Sequence, residues 1–215
     1  MIKFRGSIDI DGVLGLFVPY FIKNANELYN LNLKEEDIKE YDFKAMGLTT
    51  MQTDSILHTM IAKKDFRNMQ LVDGAKKNVH TLSKQYNLMS VTARPIGSKE
   101  QTYSWFYEHF ENIFDPIIFN GYASKHKHCL KHSCEFHIDD CPDHVNALER
   151  TETMPILFTQ NYNRNNKTIF SSNDDLSVII DDYHKNKGWG TVRVYNWDDC
   201  EKFLTKYYGE VLRLR

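Results

Sequence analysis

The sequence predicts an α/β protein built on a doubly wound parallel sheet, with a helical segment inserted after the first strand. Three observations carry this. Short, nearly continuous apolar runs recur along the chain, among them "NLMSVTARP", "FDPIIFNG", "CEFHIDD" and "MPILFTQNYN". Such runs mark strands buried on both faces, which is the condition of a parallel sheet. Most are separated by segments whose apolar residues recur at helical spacing, so strand and helix alternate. The exception is the stretch from Leu14 to about Phe66, where helical spacing continues without an intervening strand.

Taken in order, residues 3 to 10 read as a first buried strand that stops at a loop on Gly12. "LFVPYFIKNANELYNLNL", "KEEDIKEYDF" and "TTMQTDSILHTMIAKK" follow as the helical insertion. "LVDGAKKNVHTLSKQY" turns into an amphipathic helix, and "NLMSVTARP" is a strand stopped by Pro95. "SKEQTYSWFYEHF" is helical, "FDPIIFNG" a strand, "SKHKHCLKHS" a short helix, and "CEFHIDDCPD" a strand entering an acidic turn. "MPILFTQNYN" and "GTVRVYNW" supply further strands, and "DDCEKFLTKYYGEVL" a final helix. "NRNNKTIFSSNDD" (Asn163 to Asp175) reads as a polar surface loop, and "VIIDDY" as a helix or edge element. The expected division is a core of residues 1–13 and 73–215 with an insertion of residues 14–72.

Composition limits the partners. Lys+Arg 27 against Asp+Glu 29 gives a net charge of -2, which provides no bulk attraction to nucleic acid or to an anionic membrane. No stretch approaches the apolar length of a membrane span, and "MIKFRGSIDI" does not resemble a signal peptide, so the expected location is the cytoplasm. The four cysteines are then expected as free thiols. A homodimer is compatible with the sequence, which sets no oligomeric state.

In open parallel sheets, ligands bind at the carboxyl ends of the strands, beside the point where strand order reverses. The polar residues at those ends are Asp9 and Asp11 after the first strand, Thr92, Ala93 and Arg94 after the second, and Asp139 and Asp140 after "EFHI". Asp9 and Asp11 at i and i+2 point the same way off an extended backbone. Lys125 opens the helix before the late acidic pair. Carboxylates gathered at one place repel one another and raise their own pKa values unless a cation neutralises them. An oxygen-only ligand set of Asp9, Asp11, Asp139 and Asp140 suits Mg²⁺ better than Zn²⁺. "KHKHCLKHSCEFH" competes as a metal site, because His128 and His132 at i and i+4 could bind zinc, but no second group of ligands with suitable spacing accompanies it.

The order of these residues resembles the haloacid dehalogenase (HAD) superfamily of phosphohydrolases. "DIDGV" matches its Asp-x-Asp motif, "VTAR" its Ser/Thr motif, Lys125 its lysine and "IDD" its acidic motif. The helical segment straight after "DIDGVL", with "TARP", "IDDCPDHV" and "ILFTQNYNR", is most similar to the 5'(3')-deoxyribonucleotidase group. The resemblance implies a Rossmann-like HAD core with a small helical cap. It implies hydrolysis of a nucleoside monophosphate through an aspartyl-phosphate on Asp9, with Asp11 as general acid and base. Thr92, Ala93, Arg94 and Lys125 would hold the phosphoryl oxygens, and Mg²⁺ would be bound by Asp9, the main-chain carbonyl of Asp11 and Asp139 or Asp140. The cap aromatics Phe17, Tyr20, Phe21, Tyr41 and Phe43 are candidates to pack against a nucleobase, with Phe17, Tyr20 and Phe43 foremost. Open alternatives are another small phosphomonoester, such as a sugar phosphate, and a binding protein that keeps the fold without turnover. Action on nucleic-acid ends is disfavoured by the charge balance.

Overall fold

The structure, a computed structural model, describes residues 3–40, 46–121, 123–168, 170–171, 177 and 190–210. Seven strands among these form one sheet: β1 (Phe4–Ile8), β2 (Tyr86–Thr92), β3 (Phe114–Phe119), β4 (Cys134–Asp139), β5 (Met154–Phe158), β6 (Phe170–Ser171) and β7 (Val192–Val194). Every neighbouring pair is parallel, in the order β3-β2-β1-β4-β5-β7-β6. β1 is therefore flanked by β2 and β4, and the order reverses there. That is the position at which a doubly wound sheet opens a crevice beyond its strand ends.

Helices among the described residues include α1 (Phe17–Tyr29), α2 (Thr50–Ala62), α3 (Asp65–Asn68), α4 (Ala75–Leu82), α5 (Lys99–Phe110), α6 (His126–Lys131), α7 (Pro142–Asn146) and α8 (Trp197–Glu210). They close the core from two sides. Leu88, Phe136, Ile138 and Ile156 join a large cluster with residues of α4, α5 and α8, including Val79, Trp105 and Phe203. Met89 and Val91, of opposite parity to Leu88 on β2, pack in a separate cluster with Cys129 of α6 and with Leu148. Strands covered on both faces have little need of alternation, which is why their text is continuously apolar.

The segment between β1 and α4 holds α1, α2 and α3. α2 starts where it does because Thr49 and Gln52 form a capping box: the Gln52 amide donates to the Thr49 hydroxyl at 3.2 Å, and the Thr49 amide donates to the Gln52 side chain at 2.9 Å. α1 stops at Asn30, whose backbone is left-handed at φ 51°. "KEEDIKEYDF" departs from its expected helix: only a single 3-10 turn, Glu35–Asp37, is present, and residues 41–45 lie outside the described residues. The physical reason is that Ile38 alone of the described part is buried, so residues 34–40 offer no apolar stripe to hold a helix against the fold. The two connections of the insertion pair with each other, Leu16 N donating to Gln70 O at 2.9 Å and Val72 N to Leu14 O at 2.8 Å.

The stretch starting at Asn163 also differs from the polar surface loop expected. Asn163 is fully buried, and Phe170–Ser171 pairs with β7 as an edge strand. The "VIIDDY" run lies outside the described residues.

Candidate active site

β1 ends at Ile8, and the position of the next residue is set by two bonds: Asp9 N donates to Ile138 O at 2.9 Å, and Ser90 Oγ donates to Ile8 O at 2.7 Å. The chain then turns at Gly12. Its φ of +79° favours glycine, and a Cβ there would fall on the Asp140 carboxylate and the Tyr162 hydroxyl. Gly12 is thus required twice, by backbone conformation and by the close approach of the late acidic residue.

At the switch point Lys125 Nζ lies 2.8 Å from Asp9 Oδ1 and donates to Asp139 Oδ2, also at 2.8 Å, with all three side chains almost completely buried. Asp139 is the most fully engaged group here. Its Oδ2 also accepts from His137 Nε2 at 2.9 Å and contacts His144 Nδ1 at 3.2 Å, while its Oδ1 accepts from Cys141 N at 2.9 Å. His137 is itself held from behind by Ser7 Oγ at 2.9 Å. Asp140 is different. Tyr162 donates to its Oδ2, and its buried Oδ1 has no hydrogen-bond partner among the described residues.

Oxygens of Asp9, Asp139 and Asp140 lie within 4.8 Å of one another. Burial pushes the Asp9 carboxyl up to about 6; Lys125 opposes this, while Asp139 and Asp11 add to it. Burial acts the same way on Asp139, yet Lys125 and the two histidines hold it well below the usual carboxylate range. Burial, Asp139 and Asp9 push Asp140 well above that range. Lys125 and the two histidines meet Asp139, Lys125 also meets Asp9, and Asp140 is left with a tyrosine on one oxygen and no hydrogen-bond partner among the described residues on the other. Three gathered carboxylates with such an orphaned buried oxygen fit a hard divalent cation.

A cavity of about 400 Å³ opens beside this cluster. Asp9, Asp11, Gly12, Ala93, Arg94 and Asp140 line its base, and Phe17, Val18, Thr53, Leu57 and Phe66 of the insertion line the opposite wall. Phe17 stacks on Phe66 with ring centroids 6.5 Å apart. The cavity is mostly apolar with a few convergent polar groups, the usual make-up of a small-molecule site.

Residues 6–181 match the family model described as "5' nucleotidase, deoxy (Pyrimidine), cytosolic type C protein". The chain belongs to this family. It is 25% identical over 202 residues to a 5'(3')-deoxyribonucleotidase of Bacillus subtilis, covering 92% of this chain and 96% of that one. The fold is similar to that of a haloacid dehalogenase-like hydrolase from Streptococcus pneumoniae, with a TM-score of 0.55 at 15% identity over 73% of this chain and 85% of the other. A HAD-type hydrolase of Bacillus subtilis, solved bound to magnesium, superposes with a TM-score of 0.51 at 14% identity, over 77% of this chain and 90% of that one. The chain is accordingly a nucleotidase-family phosphatase, and its Rossmann-like fold is the one those HAD-type hydrolases share.

Within the nucleotidase, the structure gathers Asp9, Asp139, Asp140 and Lys125, and separates Asp11 from them. The strand ends before both aspartates, and both still line the cavity, but they take different partners. The Asp11 side chain turns to Arg94. Arg94, expected on phosphate or substrate, has its guanidinium committed to that carboxylate, and Thr92 is fully buried with its hydroxyl accepting from Arg94 N at 3.2 Å. Tyr20 is not among the cavity-lining residues, because its hydroxyl donates to Asn68 O at 2.7 Å. Tyr41 and Phe43 lie outside the described residues, and Phe21 is fully buried. The histidines of "KHKHCLKHSCEFH" go to separate partners: His126 to Ser124, His128 to Asn120, His132 to Arg5, His137 to Ser7 and Asp139.

The sequence reading missed Tyr162, Asn163, Gln160 and His144. Gln160 Nε2 donates to Gly12 O, and Asn163 Nδ2 donates to Asp140 O at 2.8 Å. Arg193 Nη2 in turn donates to Asn163 O at 3.1 Å. These bonds make the segment after β5 a support for both the Gly12 turn and Asp140. The signal was present, since "TQNYN" is the polar end of a parallel strand adjacent to β4, the same rule that picked out the other strand ends.

Proposed function

We propose that this chain hydrolyses the phosphomonoester of a nucleoside monophosphate, with Asp9 as the nucleophile and a deoxyribonucleotide as its preferred substrate. The observation that carries this reading is the position of Asp9 at the switch point, facing the cavity, with Lys125 on one of its oxygens. Asp9 attacks phosphorus and the ester oxygen leaves, which splits one difficult hydrolysis into formation and breakdown of an acyl phosphate. Asp11 donates a proton to the leaving oxygen and later accepts one from the attacking water. Lys125 and the main-chain amides around Ala93 face the charge of the phosphoryl oxygens.

Asp9, Asp140 and the main-chain carbonyl of Asp11 would hold Mg²⁺, which supplies charge compensation between phosphate and carboxylates when bound. Asp139, with its oxygens already taken, anchors Lys125 and the histidines instead. The segment of residues 14–72 serves as a cap, excluding water from the site and offering Phe17 and Phe66 to a planar base. The cytoplasm is the proposed location; no helix among the described residues is long and apolar enough to cross a membrane.

Phosphate release from a panel of 5'- and 3'-nucleoside monophosphates, deoxy and ribo, alongside sugar phosphates tests the reading. Mg²⁺-dependent turnover led by a deoxynucleotide is expected. Sugar phosphates faster than every nucleotide would overturn the substrate assignment, and silence on all of them would overturn the activity.

A further inference from the structure

The Arg94 guanidinium is fully buried, and its bonds go to groups of the protein. Its Nε donates to both Asp11 oxygens at 3.0 Å, and Nη2 donates to Oδ1 at 2.7 Å. Nη1 donates to Thr102 Oγ1 at 3.2 Å, and Nη2 also meets Met69 Sδ at 3.1 Å. The guanidinium carbon lies over two rings, 5.0 Å from the centroid of Phe66 and 5.6 Å from that of Trp105. Phe66 and Met69 come from the end of the insertion, Thr102 and Trp105 from α5 of the core, and Trp105 Nε1 donates to Met69 O at 2.6 Å. Four of the five N–H donors of this guanidinium are directed to groups of the protein, two of its three nitrogens to Asp11. Its planar fork and its stacking are also features a lysine does not reproduce.

We infer that Arg94 is a positioning residue: it fixes the Asp11 carboxylate toward the leaving group, from a seat built jointly by the insertion and the core. The grip is asymmetric. Oδ1 accepts two bonds and Oδ2 shares a single bifurcated donor, so Oδ2 keeps the greater acceptor capacity while the carboxylate plane is held. The Asp11 side chain is 21% exposed and lines the cavity, so it can reach a bound ester from that grip. This inference rests on the proposed reaction, in which Asp11 gives a proton to the leaving oxygen and takes one from water.

Two substrates separate the roles. A nucleoside monophosphate has a basic leaving oxygen that needs the proton; p-nitrophenyl phosphate does not, but its aspartyl-phosphate must still be hydrolysed with help from Asp11. Arg94→Lys is expected to lower kcat on the nucleotide roughly 10- to 100-fold with KM nearly unchanged. With p-nitrophenyl phosphate it should release about one equivalent of nitrophenol in a burst and then turn over slowly, absent in wild type. Ethylguanidinium added to Arg94→Ala should recover part of the nucleotide kcat. A rise in KM for both substrates and in the inhibition constant of inorganic phosphate, without a burst, would overturn the inference in favour of phosphate binding. Wild-type kinetics in Arg94→Lys would overturn it as well. Wild-type protein inactive on both substrates would instead remove the reaction on which the inference stands.

Discussion

The two acidic pairs of the site are opposites in how their charge is met. Asp9 and Asp11, after β1, both reach the cavity, and each meets a cation, Asp9 the Lys125 that it shares with Asp139 and Asp11 the guanidinium of Arg94. Asp139 and Asp140, at the end of β4, divide the work: Asp139 takes a lysine, two histidines and a main-chain amide behind the site, while Asp140 faces the cavity with one tyrosine and an open oxygen. Proximity alone therefore does not assign a role to a carboxylate. What decides it is which oxygens remain unclaimed after the neighbouring donors have been satisfied.

The comparison can be broken most sharply at Asp9. Asp9→Asn should lower nucleotide turnover by roughly 10⁴-fold or more, as removal of a nucleophile does, measured as phosphate release at saturating Mg²⁺. Next in size is the shared cation. Lys125→Met leaves Asp9 and Asp139 facing each other without it, and denaturant unfolding in EDTA should show a loss of about 3–5 kcal/mol, part of which Mg²⁺ restores by supplying positive charge to the same carboxylates. Unchanged stability would mean that Lys125 does not balance the pair.

The β4 pair is sharpened by two milder changes. Asp140→Asn should weaken Mg²⁺ binding roughly 100-fold by calorimetry, because it removes charge from the open oxygen, whereas a comparable loss in no cation titration would refute Asp140 as a ligand. Tyr162→Phe is the smallest: it strips the one donor from Asp140 Oδ2, and a drop of roughly 10-fold in Mg²⁺ affinity is expected, in the range for outer groups that orient a ligand.

How much was readable beforehand follows physical lines. Strand ends were legible because apolar runs that stop at Asp, Thr or Arg announce both burial and a change of environment, and so Asp9, Arg94, Asp139 and Asp140 could be named together. α1 and α2 were legible from spacing and from the Thr49–Gln52 cap. "KEEDIKEYDF" misled because charged residues with good helix propensity satisfy a local rule, while helices in folded proteins depend on an apolar face to bury. Tyr20 misled for a related reason: an aromatic residue at a plausible position does not reveal whether its hydroxyl will find a main-chain carbonyl first.

The sequence by itself determined the alternation of strands and helices, the helical segment after β1, the acidic residues at the carboxyl ends and the resemblance to a nucleotidase family, since all of these depend on local period and on motif order. Only the tertiary structure decided that Arg94 bonds Asp11, that Lys125 and two histidines converge on Asp139 while Asp140 takes a tyrosine, and that Asn163 bonds the main chain of Asp140. Those assignments depend on distances between residues far apart in the chain, where hydrogen-bond donors compete for the same few oxygens, and no local pattern records which of them wins.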